Sequence, residues 1–276
     1  MSLVAAIALS LAAASSCPAE PALARLTAAS DRIVVGTFTT PEALDREAAR
    51  SSPDSVDLPL LVSRALKGQA PAPDAVLVYS KAAPHQPDAA ALKARAGTPA
   101  ILFVADAEEG PRGFHFAGYT PQALQAASPE RVAAVTAEVA RQQRLLAAWK
   151  PDRKSPHFKE VRRLVARLGR VSGAEQQQAF SYLESLGPDA VPAIVAVMDD
   201  RRRVKFGHVS LAGVSPDGLA ISTRYSVDQV VDALSAVLSQ ITGENLGRIG
   251  ASSDRERALT VSVWRVYTAD LACGTP

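Results

Sequence analysis

The chain has 276 residues, of which 47% are hydrophobic and 21% are charged, and its formal net charge is +2. This composition is typical of a globular protein with one or two domains and excludes an intrinsically disordered chain. A net charge so close to zero gives no reason to expect binding to nucleic acid, and no nucleic-acid partner is predicted.

The N-terminus has the pattern of a secretory signal. No residue before Cys17 is charged, and Leu3–Ala14 consists almost wholly of Ala, Leu, Ile and Val. Such a run is too short to span a bilayer but suits the apolar core of a signal peptide. We therefore predict a signal peptide at 1–16, an N-terminal segment at 17–30, and export to the periplasm or to the outer membrane and cell envelope. No Lys or Arg precedes the apolar run, which leaves a start further upstream or a weak signal as alternatives, and an N-terminal helix of a cytosolic domain is the competing interpretation.

The two cysteines, Cys17 and Cys273, lie near opposite ends of the chain. Ala14-Ser15-Ser16-Cys17 resembles the lipoprotein box of bacterial lipoproteins, which implies acylation of Cys17. A disulfide between Cys17 and Cys273 in an oxidising compartment is the second interpretation, and it would contribute on the order of 5 kcal/mol in the chain-entropy model. Two unrelated free thiols are the third interpretation. All three stay open at this point, with acylation placed first.

Five short runs rich in Val, Ile, Phe and Tyr predict β-strands between residues 31 and 120, separated by turns that contain Gly and Pro. The predicted strands are Arg32–Thr39, Leu58–Leu66, Ala75–Ser80, Pro99–Ala105 and Arg112–Tyr119. A short helix is predicted at Pro41–Arg50, between the first two strands. Five strands with an inserted helix favour a small antiparallel five-stranded β-barrel of the OB-like kind.

The order IVVGTF, LLVSRALKG, AVLVYS and PAILFVA resembles the five-stranded barrels of netrin modules and of tissue inhibitors of metalloproteinases, with Ala65-Leu66-Lys67-Gly68 as its motif-like part. The resemblance covers about a third of the chain, and the cysteine pairs of those modules are absent from the sequence. It implies an alternative function as a peptidase inhibitor, in which the amine of an N-terminal Cys17 chelates the zinc of a metallopeptidase. Acylation of Cys17 would block that use.

Helical periodicity dominates residues 128–272. Ser128-Pro129 predicts the start of a helix that runs to Trp149, and a second helix is predicted at Phe158–Leu168. Glu175–Asp200 predicts two short helices folded back on each other across Gly187-Pro188. A β-hairpin is predicted at Arg201–Thr223, with its turn at Ser215-Pro216-Asp217-Gly218.

Two capping boxes predict the last helices of the chain. Ser226 with Gln229 predicts the start of a helix whose apolar face runs from Val227 to Ile241, and Ser253 with Glu256 predicts the start of the next.

LGPDAVPAIVAVMDD resembles the inner turn of HEAT-type repeats. VVDALSAVLSQITGENLGRI with DRERALTVSVWRVY resembles a terminal segment of secreted bacterial HEAT-like proteins. The predicted fold class is therefore α+β: a small antiparallel β-barrel at 31–120, followed by a HEAT-like helical domain at 128–272 with an inserted β-hairpin.

The sequence contains few motifs that indicate chemistry. The four histidines (His85, His115, His157 and His208) have no metal-ligand spacing, so no metal site and no cofactor are predicted. His115 alternates with Phe114 and Phe116, and it is predicted as an exposed strand residue rather than a ligand. No phosphate-binding loop or nucleophile elbow is present. We predict that the protein is not an enzyme, with an unrecognised hydrolase as the lesser alternative.

One segment is strongly basic. Residues 141–170 contain ten Lys and Arg against two acidic residues. One interpretation is a solvated helical face whose long side chains cover apolar surface. The other is a docking surface for an anionic membrane surface or an acidic protein partner, with five candidate residues: Lys159, Arg162, Arg163, Arg167 and Arg170.

The sequence therefore predicts an exported cell-envelope protein that acts as a non-catalytic interaction scaffold for an unknown protein partner.

Overall fold

The computed structural model describes residues 17–39, 55–72, 75–80, 86–106, 113–118, 120–214, 220–247, 249–250 and 253–274. The predicted signal peptide, the predicted helix at Pro41–Arg50, the turn at Ser215–Gly218 and His85 lie outside the described residues. The fold is mixed α/β, with a closed five-stranded β-barrel and eight α-helices in the described part of the chain.

The barrel contains the five strands that the sequence predicts, with shifted ends. They are β1 (Arg32–Phe38), β2 (Ser55–Lys67), β3 (Val76–Ser80), β4 (Ala100–Asp106) and β5 (Gly113–Phe116). The strand order is β1-β2-β3-β5-β4, and pairing of β4 with β1 closes the ring. The predicted five-stranded barrel is thus confirmed.

The prediction that the barrel is antiparallel is wrong at one pairing, because β3 and β5 are parallel. The other four pairings in the ring are antiparallel. A closed ring with an odd number of strands cannot alternate direction at every pairing, so at least one pair must be parallel.

Gly36 in β1 allows close contact between strands at a point where the register with β2 shifts. A Cβ atom at this position would lie 2.7 Å from the carbonyl oxygen of Leu61. A residue with a side chain would therefore push β2 away where the strand bends. Glycine at such an irregularity is a common way to curve a strand into a barrel.

Three elements next to the barrel were not predicted from the sequence. They are α1 (Pro21–Ala29), α2 (Ala89–Arg95) and β6 (Leu124–Ala126). α2 lies between β3 and β4 in the chain, and its N-cap Asp88 accepts a hydrogen bond from the N–H of Ala91. Both helices are short and rich in alanine, so neither has the apolar periodicity that identifies a helix in sequence.

The remaining elements form the helical part of the protein. They are α3 (Pro129–Ala148), α4 (Phe158–Arg167), α5 (Gly173–Ser185), α6 (Val191–Val197), β7 (His208–Val214), β8 (Ala220–Ser226), α7 (Val230–Thr242) and α8 (Asp254–Leu271). β7 and β8 form the predicted antiparallel hairpin. Ser128 caps α3, and Ser253 with Glu256 forms the predicted capping box of α8.

Two details of the helical prediction are wrong. α7 begins at Val230 with Gln229 as its N-cap, whose backbone N–H donates to the carboxylate of Asp232 at 2.9 Å, because Ser226 is used as the last residue of β8. α5 and α6 flank a 3₁₀ turn at Pro188–Ala190, but they do not pack mainly on each other. The main contacts of α6 are with α4 and α8, whereas α5 packs against α7 and β7.

Two apolar cores meet at α1 and α3. Leu23 and Leu26 of α1, together with Val135 and Val139 of α3, are buried with the barrel. Ala28 of α1 belongs to the helical core, and α1 also contacts α8. The predicted boundary at residue 128 therefore places α3 in the helical domain although its first half packs on the barrel.

Candidate docking surface

α4 is amphipathic, and its sequence fixes which side faces the protein. Phe158, Val161 and Val165 are buried in the helical core. Because a residue in an α-helix turns about 100° from its neighbour, the opposite side of α4 faces away from that core. Glu160 lies in the first turn and Arg167 in the last, a distribution of charge that favours the helix dipole.

The C-terminus of α4 is capped by Arg202, a residue from a distant loop. Its guanidinium donates hydrogen bonds to the carbonyl oxygens of Val165 at 2.7 Å and Leu168 at 2.9 Å. Val165 also accepts the backbone N–H of Leu168 at 3.1 Å, and Arg202 supplies further donors at the end of the helix, where carbonyls run out of intrahelical partners. The chain then turns at Gly169, which has a φ of +82°.

The five predicted partner-binding residues are brought together on the outer side of α4 and in the turn that follows it. All five are exposed: Lys159, Arg162, Arg163, Arg167 and Arg170. With Ala166 and Val171 they line an open depression of about 680 Å³, which we call the basic hollow. The structure thus collects these charges at one place.

None of these five cations forms an ion pair with a residue that the structure describes. The nearest acidic neighbours are engaged elsewhere. Glu160 accepts a hydrogen bond from the hydroxyl of Tyr182 at 2.7 Å, and this bond, with a smaller contribution from the charge of Arg163, lowers the pKa of Glu160. Glu175 accepts the backbone N–H of Ser172 at 2.8 Å. Both carboxylates still interact electrostatically with the hollow, Glu160 with Arg163 and Glu175 with Arg167, but an excess of positive charge faces solvent.

A groove with a mixed lining lies beside the basic hollow, between α4 and α5, and its volume is about 330 Å³. Its apolar lining consists of Leu164, Leu168, Val171, Ala179 and the ring of Tyr182, and its polar lining consists of Arg167, Glu175 and Gln178. Arg167 and Val171 line both the groove and the hollow, so the two depressions adjoin. Tyr182 is 44% exposed.

A second exposed aromatic residue, Phe206, lies near the N-terminus of α5. Its ring packs directly on Gly173, where any Cβ atom would collide with it, and it stacks on His208 with a centroid distance of 5.9 Å. Phe206 is 50% exposed and does not line the groove. No pattern in the sequence identified it, because it lies in a loop without periodicity.

Arg141 does not belong to the basic surface, although it was counted in the basic segment. It is buried and forms ion pairs with Glu138 at 2.7 Å and Asp270 at 2.8 Å. Burial disfavours the charged form, but the hydrogen bonds to Glu138 and Asp270 outweigh it, so the pKa of Arg141 is raised. The other cations of the segment are exposed but do not line the hollow: Arg144, Lys150, Arg153 and Lys154.

Cys17 and Cys273 form a disulfide, with a Cα–Cα distance of 5.6 Å. It joins the segment before α1 to the end of α8, so it connects two helices that also pack on each other. The sulfur atom of Cys17 cannot form this disulfide and carry a lipid at the same time. Of the three interpretations of the cysteines, the structure contains the disulfide. Acylation of Cys17 and the compartment of the protein stay predictions.

The described histidines are not brought together. His115 is half-buried on β5, its Nδ1 lies 3.2 Å from the carbonyl oxygen of Val78, and it lines a cavity of about 290 Å³ between the barrel and α8. Over the described ranges, no three His, Cys, Asp or Glu residues are grouped as metal ligands would be. None of the described helices combines the length and apolarity needed to cross a bilayer.

Comparison with known proteins found no matching family model, no similar curated protein and no similar solved structure.

Proposed function

We propose that the protein is a non-catalytic interaction scaffold of the cell envelope that binds an anionic partner through the basic hollow. One observation carries this proposal: five exposed cations converge on one depression without an ion-pair partner among the described residues. Like charges held together raise the energy of the free protein, and an anionic partner relieves that repulsion.

Two features support an envelope location. The apolar run at Leu3–Ala14 has the length of a signal-peptide core, and Cys17 is disulfide-bonded to Cys273. Stable disulfides are mainly found in proteins of oxidising compartments. Together these features favour export followed by oxidation.

In finer terms, we interpret the barrel as OB-like and the helical part as HEAT-like. The barrel interpretation depends on the order β1-β2-β3-β5-β4 with α2 between β3 and β4. The HEAT-like interpretation depends on the short helices α5 and α6 on either side of the Gly187-Pro188 corner. An experimental structure in which β3 does not pair with β5, or in which these helices do not stack on neighbouring helices, would contradict the respective interpretation.

The binding proposal is tested with two anionic probes at low salt, phosphatidylglycerol vesicles and a surface coated with polyglutamate. We expect the full chain to bind at least one of them and to dissociate as added salt screens the charges. The triple variant Arg162→Gln, Arg163→Gln, Arg167→Gln should bind about 5- to 150-fold more weakly, since each lost contact of an exposed charge contributes a few tenths to one kcal/mol.

A matched control removes the same net charge elsewhere. Arg144, Arg153 and Lys154 are exposed and lie outside the hollow, so their replacement by Gln should leave binding nearly unchanged. Equal weakening by both triple variants would mean that only net charge matters. Failure of the wild-type chain to bind either probe would disprove the proposed function.

Export is tested by mass spectrometry of the protein recovered from cells. We expect a mature chain that begins at Cys17, without a lipid, and with Cys17 linked to Cys273. A chain that retains Met1 would refute cleavage, and a lipid on Cys17 would refute the disulfide as the mature state.

A second candidate, the peptidase inhibitor, is favoured by the disulfide alone, because that bond fixes Cys17 and leaves its α-amine free once cleavage occurs. Protein beginning at Cys17 should then inhibit a zinc metallopeptidase, whereas protein with one added N-terminal alanine should not. Equal activity of the peptidase with both forms would eliminate this candidate.

A further inference from the structure

We propose that the anionic partner is an acidic segment of another protein chain, and that an apolar side chain of this segment enters the groove between α4 and α5. This inference rests on the proposed function, since it names the partner class of the same surface.

The arrangement of the cations fits a protein segment that carries several carboxylates. From Lys159 to Arg167 the cations extend along α4 over about 12 Å at 1.5 Å per residue, and Arg170 follows in the turn after the helix. A segment of about two helical turns, or about four extended residues, covers the part on α4. Four of the five cations are arginines, whose planar guanidinium groups match carboxylates in a bidentate geometry.

The groove supplies the apolar part of the recognition. Leu164 and Ala179 are only partly buried, and Leu168 lies beneath them as part of the core. Because the groove adjoins the hollow at Arg167 and Val171, a chain with carboxylates in the hollow can place a neighbouring apolar side chain in the groove. Apolar anchors in pockets with charged surroundings are a common arrangement in protein–protein interfaces.

Tyr182 forms the exposed wall of the groove. Its hydroxyl donates to Glu160, so the polar end of the side chain is already satisfied while much of the ring stays accessible. A tyrosine held in this way provides a rigid apolar surface at little cost in side-chain entropy.

The shape of the surface favours a protein segment over a lipid bilayer. A bilayer presents a broad surface of headgroups that meets protruding side chains, and binding gains when apolar side chains insert into it. Here the apolar area next to the cations is recessed between two helices. A side chain of a protein segment can enter this recess, whereas a headgroup surface leaves it empty.

The experiment compares two synthetic peptides of equal length and charge. Both have glutamates on one helical face; the first has leucines on the other face, and the second has serines at those positions. We expect the full chain to bind the leucine peptide at least about tenfold more tightly, because burial of one leucine side chain favours binding by about that factor or more. Phosphatidylglycerol vesicles serve as the third probe.

Two variants of the groove wall identify the binding position. Tyr182→Ala removes the ring and should reduce the preference for the leucine peptide about tenfold, a typical effect for an aromatic interface residue. Tyr182→Phe keeps the ring and should retain the preference. Because Tyr182 is exposed, circular dichroism and the thermal midpoint should be nearly unchanged in both variants.

The outcomes separate this inference from the proposed function. If both peptides bind equally and the triple variant of Arg162, Arg163 and Arg167 loses this binding, the basic hollow is a docking surface. The inference that an apolar side chain enters the groove is then overturned. Binding of vesicles and of neither peptide would identify a membrane surface and overturn the inference. Unchanged leucine preference in Tyr182→Ala would also overturn it. Absence of binding to all three probes would reject both proposals.

Discussion

The outer face of α4 and the interface between α3 and α8 use the same residue type in opposite ways. On α4, Arg162 and Arg163 are exposed and have no ion-pair partner among the described residues. At the interface, Arg141 is 6% exposed and contacts two carboxylates, Glu138 and Asp270. Arg257 of α8 is buried in a similar way against Asp232 of α7.

This difference teaches that the surroundings of an arginine decide whether it contributes to stability or to recognition. Removal of a buried arginine leaves its carboxylate partners without that counter-ion. The resulting loss in the free energy of unfolding is far larger than the net contribution of the ion pair. An exposed arginine is hydrated and screened, so its removal hardly affects folding. We therefore expect buried and exposed cations to separate clearly when stability and binding are measured on the same variants.

The largest effect is expected at Arg141. Arg141→Met removes the cation that Glu138 and Asp270 share in a buried cluster and leaves only weaker electrostatic support for the two carboxylates. We expect the free energy of unfolding to fall by about 3–5 kcal/mol. Urea denaturation followed by circular dichroism measures this change, with Arg144→Gln as the exposed control. A loss below about 1 kcal/mol would show that the interface does not depend on this cluster.

Lys67 is an intermediate case, because its partly buried ammonium donates to backbone carbonyls and has the charge of Asp31 nearby. It donates to Thr27 and Ser30 at 2.6 Å, which caps the C-terminus of α1. Burial lowers the pKa of Lys67 to about 8, from 10.5. The folded state therefore loses this proton at a lower pH than the unfolded state does.

The direction of the pH dependence follows from the lower pKa of Lys67 in the folded state. Between pH 8 and 10.5 the unfolded chain binds more protons at Lys67 than the folded chain, so stability should rise with pH in this window, by at most about 3 kcal/mol. Below about pH 8 both states are protonated and the contribution is constant. Denaturation across this range should show a flatter profile for Lys67→Met than for the wild type. Identical slopes would mean that Lys67 is not buried as a cation.

The smallest effect on stability is expected for the cations of the basic hollow. The variant Arg162→Gln, Arg163→Gln, Arg167→Gln should change the free energy of unfolding by no more than about 0.5 kcal/mol per site, although it should lose binding to the anionic probes. Thermal unfolding and the binding assay are carried out on the same preparation. A large loss of stability would assign these residues to folding and would remove the distinction between the two sets of arginines.

Local patterns in the sequence were sufficient to predict much of the fold. In β1–β5, β-branched and aromatic residues alternate with other residues or form clusters. This pattern is visible in the sequence because each strand buries one side in the barrel. The capping box at Ser253 was identified because its hydrogen bonds span only three residues. Ser226 was assigned wrongly because the same residue type also suits the end of a strand, and only its pairing with His208 decides between the two.

The candidate site was predictable in part. The sequence by itself determined that basic residues follow one another at helical spacing on α4, since hydrophobic periodicity fixes which side of a helix is buried. It did not determine that Arg141 is buried while Arg162 and Arg163 are exposed, because that depends on Asp270, which is distant in the chain. It also did not determine the groove, which lies between α4, packed mainly on α6, and α5, packed mainly on α7 and β7.

The two cysteines near the ends of the chain show the same difference between what the sequence determines and what the tertiary structure decides. The sequence supplied two cysteines and left acylation, disulfide formation and free thiols as alternatives. The tertiary structure placed Cys17 next to Cys273, because α1 packs against α8 and so brings the two ends of the described chain together. Spacing along a sequence sets local conformation, whereas pairing between distant residues is decided by the packing of the whole fold.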